Sequence, residues 1–143
     1  MDYVLAIPSY KRNDVLKKKT MAMLKRYKIP SNKIHIFLAN KKEHSEYKKE
    51  LDPKSYNKLI VGKVGIKGIR NFMSQYFNEG QHIVYLDDDI GKIWECRNRG
   101  DPSDKKGNKL IEIKSLNAFI KKAFKMSVNC LLYTSPSPRD GLL

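Results

Sequence analysis

Three consecutive aspartates, Asp87, Asp88 and Asp89, follow the apolar run 82–86 in a chain whose formal net charge is +14. Adjacent carboxylates repel one another, so a positive group must lie among them. Because side chains alternate along an extended chain, we expect Asp87 and Asp89 to share one side and Asp88 to point away. Two carboxylates on one side form a partial ligand set for Mg²⁺ or Mn²⁺, which a substrate diphosphate completes. The alternative is a solvated turn in which lysines neutralise the acids.

The segment IPSYKRND directly follows the first apolar run and places an aromatic residue beside two cations. Tyr10 could stack on a base, while Lys11 and Arg12 could reach phosphate groups. The alternative is an ordinary Pro-Ser turn that leads into a helix through a capping residue.

A third segment, GIKGIRN, has two glycines just before a helical pattern. We interpret Gly65 and Gly68 as punctuation of a loop, with Arg70 near the start of the helix that follows. A helix N-terminus with an arginine suits an anion, or Arg70 could hold Asp87 by a charge-assisted hydrogen bond. The alternative is ordinary loop chemistry.

Short β-prone runs alternate with helical patterns through most of the chain. Strands are predicted at 3–8, 34–39, 58–64 and 81–87, and helices at about 14–27, 41–51 and 69–77, the first capped by Asn13 or Asp14. This alternation predicts a doubly wound, mostly parallel α/β sheet with helices on both faces. Ligands of such sheets bind beyond the carboxyl ends of the strands, so the acidic and basic segments should meet there.

A different pattern follows the sheet. The stretches KIWECRNRG and NKLIEIK, separated by the polar DPSDKKG, predict a hairpin. The stretch SLNAFIKKAFKM predicts an amphipathic helix capped by Ser115.

The last segment, from CLLYTSPSPRD to the end, differs from the lysine-rich text before it. It resembles an in-frame translation of a transposase-end sequencing adapter, and the alternative is a disordered Ser/Pro-rich linker. We therefore expect a single domain at 1–129, cut short within its reading frame after Asn129, and a non-native, disordered tail at 130–143. We expect such a fragment to be inactive.

Composition narrows the class of protein and of partner. The 29 Lys and Arg against 15 Asp and Glu favour a polyanion such as nucleic acid, although lysine outnumbers arginine, the usual residue for bidentate phosphate recognition. No apolar run is long enough for a membrane span and no signal peptide is evident, so we expect a cytoplasmic protein, or one of a host cytoplasm if viral. Cys96 and Cys130 form no metal or disulfide pattern.

Taken in order, a first strand ending in IPSYKR, a glycine-containing segment ending in RN, and a fourth strand ending in DDD resemble the nucleotide-binding half of GT-A glycosyltransferases. The aspartate run looks like the DxD motif of those enzymes. The chain resembles the TET-associated glycosyltransferase family more closely than GT-A enzymes in general, over about residues 3–95.

The resemblance implies a GT-A, Rossmann-like domain that transfers a sugar from a nucleotide-sugar to a hydroxymethylated pyrimidine in DNA. By the same resemblance Tyr10 and Arg12 would contact the nucleotide, and Arg70 would lie at its ribose or phosphates. Asp87 and Asp89 would hold the divalent cation, Mn²⁺ or Mg²⁺. The acceptor half of such enzymes follows the DxD strand and is short here, so no catalytic base is nominated.

Two other functions are compatible with these residues. The chain could be a nucleic-acid-binding module on a degenerate transferase fold, with the aspartates serving structure alone. It could also be a nucleotidyltransferase, which uses similar carboxylates on a similar sheet. No protein partner is identifiable.

Overall fold

The computed structural model describes residues 2–97 and 109–131, and its centre is a four-stranded parallel sheet. The strands are β1 (Tyr3–Ser9), β2 (Ile34–Leu38), β3 (Lys58–Val61) and β4 (His82–Tyr85). All are parallel, in the spatial order β3-β2-β1-β4. The chain thus moves outward from β1 to β3 and then returns to the other side of β1. The strand order therefore reverses between β1 and β4, which creates a topological switch point there.

The helices follow the strands in alternation. The first is continuous from Asn13 to Arg26 but changes pitch, as α1 (Asn13–Leu16), a π-helical segment (Lys17–Met21) and α2 (Ala22–Arg26). The others are α3 (Lys41–Glu50), α4 (Ile66–Tyr76) and α5 (Leu116–Leu131). A two-stranded antiparallel hairpin, β5 (Trp94–Arg97) with β6 (Lys109–Glu112), precedes α5.

Two apolar clusters cover the two faces of the sheet. On one face, Leu5 and Ile36 belong to a large cluster with residues of the first helix, of α3 and of α5. On the other face, Ala6 and Phe37 pack with α4 through Met73 and its neighbours. Because successive strand residues face opposite sides, β1 and β2 are apolar at most positions, and all five residues of β2 are buried, including the polar His35. The predicted α/β sheet with helices on both faces is confirmed.

The hairpin and the cap of the last helix are also as predicted. Trp94 pairs with Glu112 and Arg97 with Lys109, and the Ser115 hydroxyl accepts a hydrogen bond from the Ala118 amide at 3.3 Å. The helix includes the first two residues of the segment 130–143 and ends at Leu131. The remainder of the predicted tail, 132–143, lies outside the described residues.

Several predicted boundaries are wrong. Helix α4 begins at Ile66 rather than at residue 69, so Gly68 lies inside the helix and Gly65 alone marks its start. The N-terminal cap position of α1 is Arg12, not Asn13 or Asp14, and it makes no side-chain capping bond.

Strand β4 ends at Tyr85, before the aspartates rather than within them. The Leu86 amide still donates to the Ala6 carbonyl of β1, at 3.1 Å. The next carbonyl, of Asp87, instead accepts a hydrogen bond from the Thr20 hydroxyl, at 2.7 Å. The aspartates therefore form a turn, and the predicted strand-like alternation of their side chains does not apply.

Candidate functional site

A cleft of about 440 Å³ opens at the carboxyl ends of β1 and β4, at the topological switch point of the sheet. All five residues predicted to bind nucleotide or metal line it: Tyr10, Arg12, Arg70, Asp87 and Asp89. The remaining lining residues come from the ends of β1 and β2, the start of α4 and the acidic turn: Pro8, Ser9, Ala39, Lys63, Gly65, Ile66, Ile69 and Asp88. The structure thus brings three separate sequence segments together where open α/β sheets bind ligands.

Two arginines provide the positive charge among the aspartates. Arg12 Nη2 lies 3.0 Å from Asp89 Oδ2, and its Nη1 lies 3.3 Å from Asp88 Oδ1. Arg70 Nη2 lies 3.2 Å from Asp87 Oδ1, which is the charge-assisted bond predicted for this pair. The alternative, a turn neutralised by lysines, is right about the turn, but the direct partners of the acids are arginines, and Lys19 contributes only a weaker attraction to Asp89.

The three aspartates differ in exposure. Asp88 is buried and accepts a hydrogen bond of 2.7 Å from the Ser9 hydroxyl, so it has a structural role inside the loop. Asp87 and Asp89 keep 63% and 45% of their side-chain surface exposed at the cleft. The distinction between the outer pair and Asp88 therefore holds, although the cause is a turn with one buried member.

Helix α3 holds the loop at Arg12 through two residues, Tyr47 and Glu43, that were not predicted from the sequence to belong to the site. The buried Tyr47 hydroxyl accepts a hydrogen bond from the Arg12 amide at 3.0 Å and lies 2.8 Å from the Ser9 hydroxyl. Because Ser9 donates its proton to Asp88, Tyr47 must donate to Ser9. Burial raises the pKa of Tyr47, so the phenol stays protonated and able to donate.

Glu43, one helical turn before Tyr47, supports the same loop. Its carboxylate accepts a hydrogen bond from the Lys11 amide at 2.8 Å, and Lys11 has a positive φ of 52°. A left-handed conformation is costly for a residue with a side chain, so this bond helps to hold it. The sequence contained one signal that α3 contacts this loop: Tyr47 is the single Phe, Trp or Tyr residue in the otherwise polar α3.

Thr20 of the first helix holds the acidic turn through a second set of hydrogen bonds. Its buried hydroxyl donates to the Asp87 carbonyl at 2.7 Å and accepts from the Ile90 amide at 2.9 Å. Thr20 lies in the π-helical segment of the first helix, and such local changes of pitch frequently occur at functional sites. No pattern in the sequence indicated this contact.

The start of α4 forms another wall of the cleft. Gly65, with a φ of +87°, is the N-terminal cap residue of α4, and Gly65 and Ile66 both line the cleft. The first amides of a helix lack acceptors within the helix and carry a partial positive charge. This wall is therefore suited to an anion, and Lys63 adds a full positive charge beside it.

The ion pairs also shift acidities at the cleft. The hydrogen bond from Arg12 holds the pKa of Asp89 below its ordinary value. The same hydrogen bond raises the pKa of Arg12. Both groups are consequently charged throughout the physiological range of pH.

A divalent cation fits this cleft only with other ligands. Among the described residues, no three His, Cys, Asp or Glu side chains cluster as a metal site. Asp87 and Asp89 nevertheless present hard carboxylate oxygens, and Mg²⁺ is commonly held by one or two carboxylates together with substrate phosphates and water. The donor set therefore fits a cation that binds together with a diphosphate.

No protein-family model, curated protein or solved structure matches the chain. Within residues 2–97 and 109–131, no helix has the length and apolar character to cross a membrane.

Proposed function

We propose that this cleft is the donor site of a metal-dependent glycosyltransferase of the GT-A type, of the kind that the resemblance to the TET-associated family implies. One observation carries the proposal. At the switch point of a parallel α/β sheet, two arginines and the N-terminus of a helix face two exposed carboxylates. Arginines and helix N-termini bind phosphate, and carboxylates bind the cation that accompanies a diphosphate.

Each predicted residue has a role that its position supports. Tyr10 is about half exposed at the mouth of the cleft, where its ring can stack on the base of the nucleotide. Arg12 and Arg70 would contact the diphosphate and the adjoining ribose, and Asp87 with Asp89 would hold Mn²⁺ or Mg²⁺. The volume of about 440 Å³ is in the range of small-molecule sites.

In the proposed reaction an acceptor hydroxyl attacks the anomeric carbon of the sugar. The bond from that carbon to the diphosphate oxygen breaks, the diphosphate leaves with the electron pair, and the hydroxyl proton passes to a base that we do not assign. The divalent cation, when bound, stabilises negative charge on the leaving diphosphate. Arg12 and Arg70 would add to that stabilisation by hydrogen bonds to the phosphate oxygens.

The acceptor that we propose is a hydroxymethylated pyrimidine in DNA. A net charge of +14 favours a polyanionic partner, because binding releases counterions from the phosphates. A pyrimidine inside a duplex cannot reach a cleft of this kind, so its nucleotide would have to be flipped out of the stack.

Binding of nucleotide-sugars tests the donor site directly. The chain is titrated calorimetrically with UDP-glucose, UDP-N-acetylglucosamine, GDP-mannose and ADP-glucose in the presence of Mn²⁺. We expect at least one to bind, and Asp89→Ala to abolish the Mn²⁺-dependent part of that binding. The control is Asp52→Ala, which removes the same charge from a loop outside the cleft. Unchanged binding in Asp89→Ala would refute the metal role.

A nucleic-acid-binding module is the second candidate, and one observation favours it. Each aspartate already has a protein partner, Arg12, Arg70 or Ser9, as expected if the acids served only structure. This function predicts salt-sensitive DNA binding that survives loss of all three aspartates, with no nucleotide-sugar binding. Turnover of a nucleoside triphosphate in place of a nucleotide-sugar would instead favour a nucleotidyltransferase.

A further inference from the structure

The charged groups of the cleft neutralise one another. Three carboxylates, of Asp87, Asp88 and Asp89, face the guanidiniums of Arg12 and Arg70 and the ammonium of Lys63, which leaves the cleft without net formal charge. A free cation would meet carboxylates that are already paired with arginines. A free diphosphate would meet arginines that are already paired, with carboxylates beside them.

The exposed ion pairs Arg12–Asp89 and Arg70–Asp87 can separate easily, whereas the contact of Arg12 with the buried Asp88 is held in place. Arg70 with Asp87 and Arg12 with Asp89 each have one contact of about 3 Å, and all four side chains are 45% exposed or more. Exposed ion pairs of this kind add little to stability. Asp88, by contrast, is 8% exposed in its side chain and is fixed by Ser9, so its contact with Arg12 can persist.

We propose that the cation and the diphosphate enter this cleft together, by an exchange of partners. The arginines would leave Asp87 and Asp89 for the phosphate oxygens, and the two released carboxylates would hold the cation. Asp88 retains Arg12 on its other guanidinium nitrogen and keeps it aimed at the cleft. Each ligand thus removes the obstacle to the other, which is a coupling between two binding events. This inference rests on the proposed function.

The exchange has a consequence that a simple pair of metal ligands does not have. If Asp89 restrains Arg12, removal of its charge should strengthen the binding of a diphosphate when no cation is present. If Arg70 occupies Asp87, removal of its charge should strengthen the binding of a cation when no diphosphate is present. Metal and diphosphate also associate in solution, so synergy in the wild-type chain alone would not establish the exchange.

Calorimetry on the wild-type chain and three variants, Asp89→Asn, Asp52→Asn and Arg70→Gln, tests the exchange. Binding of UDP, GDP, ADP and CDP is measured in metal-depleted buffer and again with Mg²⁺, for the wild type, Asp89→Asn and Asp52→Asn. In metal-depleted buffer we expect Asp89→Asn to bind the preferred diphosphate roughly threefold to tenfold more tightly than the wild type. Its enhancement by Mg²⁺ should be largely lost. Asp52→Asn removes an equal charge outside the cleft and should behave as the wild type.

The reciprocal arm uses Mn²⁺ alone with Arg70→Gln, which should bind the cation more tightly than the wild type does. One result would overturn the exchange and leave the donor site intact: the wild type binds the diphosphate with Mg²⁺, but Asp89→Asn, without metal, binds it no more tightly than the wild type does. Absence of binding of all four diphosphates to the wild type, with and without Mg²⁺, would overturn the proposed function and this inference with it.

Discussion

Individual side chains in this protein act through hydrogen bonds that join distant parts of the sequence. Ser9 contacts Tyr47 and Asp88, which are 38 and 79 positions away in the chain. Tyr47 thereby connects helix α3 to both the basic loop at Arg12 and the acidic turn. Removal of one member leaves buried polar partners unsatisfied, which costs more than the bond itself contributes.

Tyr47→Phe should therefore destabilise the chain by about 1–2 kcal/mol, because the Arg12 amide loses its acceptor and Ser9 loses its donor. Tyr27→Phe is the matched control, since the buried Tyr27 hydroxyl has no hydrogen-bond partner among the described residues. Its removal should leave stability unchanged or slightly higher. Urea denaturation measures both, and equal losses in the two variants would show that the Tyr47 hydroxyl has no special role.

The acidity of Asp89 reports on its pair with Arg12. The hydrogen bond from Arg12 lowers the folded-state pKa of Asp89 below the unfolded value of about 3.9. The contribution of this pair to stability is thus present at neutral pH and is lost as the pH falls from about 3.9 through the folded pKa.

In Arg12→Gln the pKa of Asp89 should return toward its ordinary value. Carboxyl-carbon NMR measures the titration, and Asp2 serves as an internal control because its pKa is lowered by a different partner, Lys33. If the Asp89 titration were the same in both proteins, the pairing in the cleft would not exist in solution.

At the scale of elements, strand ends, loops and the start of α4 supply the cleft residues, and the position at which α4 begins fixes one wall of the cleft. Helix α4 begins at Ile66, directly after its cap residue Gly65, whose positive φ turns the chain from β3 into the helix beside the cleft. The sequence suggested two equivalent glycines in a loop, but Gly68 lies in the first turn of the helix. Periodicity could not distinguish the two, because a short run of small and basic residues before a helix fits either boundary.

The two glycines should respond to alanine in opposite directions. Gly65→Ala forces a side chain into a conformation open mainly to glycine and should cost about 1–3 kcal/mol. Gly68→Ala should add about 0.5–1 kcal/mol of stability, since its new methyl group would meet only Lys63 Cβ, at 3.4 Å. Denaturation midpoints of the two variants measure the difference, and destabilisation by Gly68→Ala would contradict the position of α4.

For the whole molecule, local patterns predicted the architecture but not the contacts that fix the site. The apolar runs and the alternation of strands with helices were sufficient for a parallel α/β sheet, and the strand-end rule placed Tyr10, Arg12, Arg70 and the outer aspartates at one edge. The pitch change that carries Thr20 to the acidic turn depends on tertiary packing across 67 positions. No short window of sequence contains that information.

The proposed site makes one spatial demand on the whole molecule: the cation must lie at the carboxyl ends of β1 and β4. Paramagnetic broadening of amide NMR signals by substoichiometric Mn²⁺, measured with a saturating nucleoside diphosphate, locates the ion in solution. We predict broadening centred on residues 87–90 and extending to 9–12 and 65–70, and its loss in Asp87→Asn with Asp89→Asn. Broadening centred instead on acidic residues elsewhere, such as Glu112 or Asp52, would contradict a donor site in this cleft.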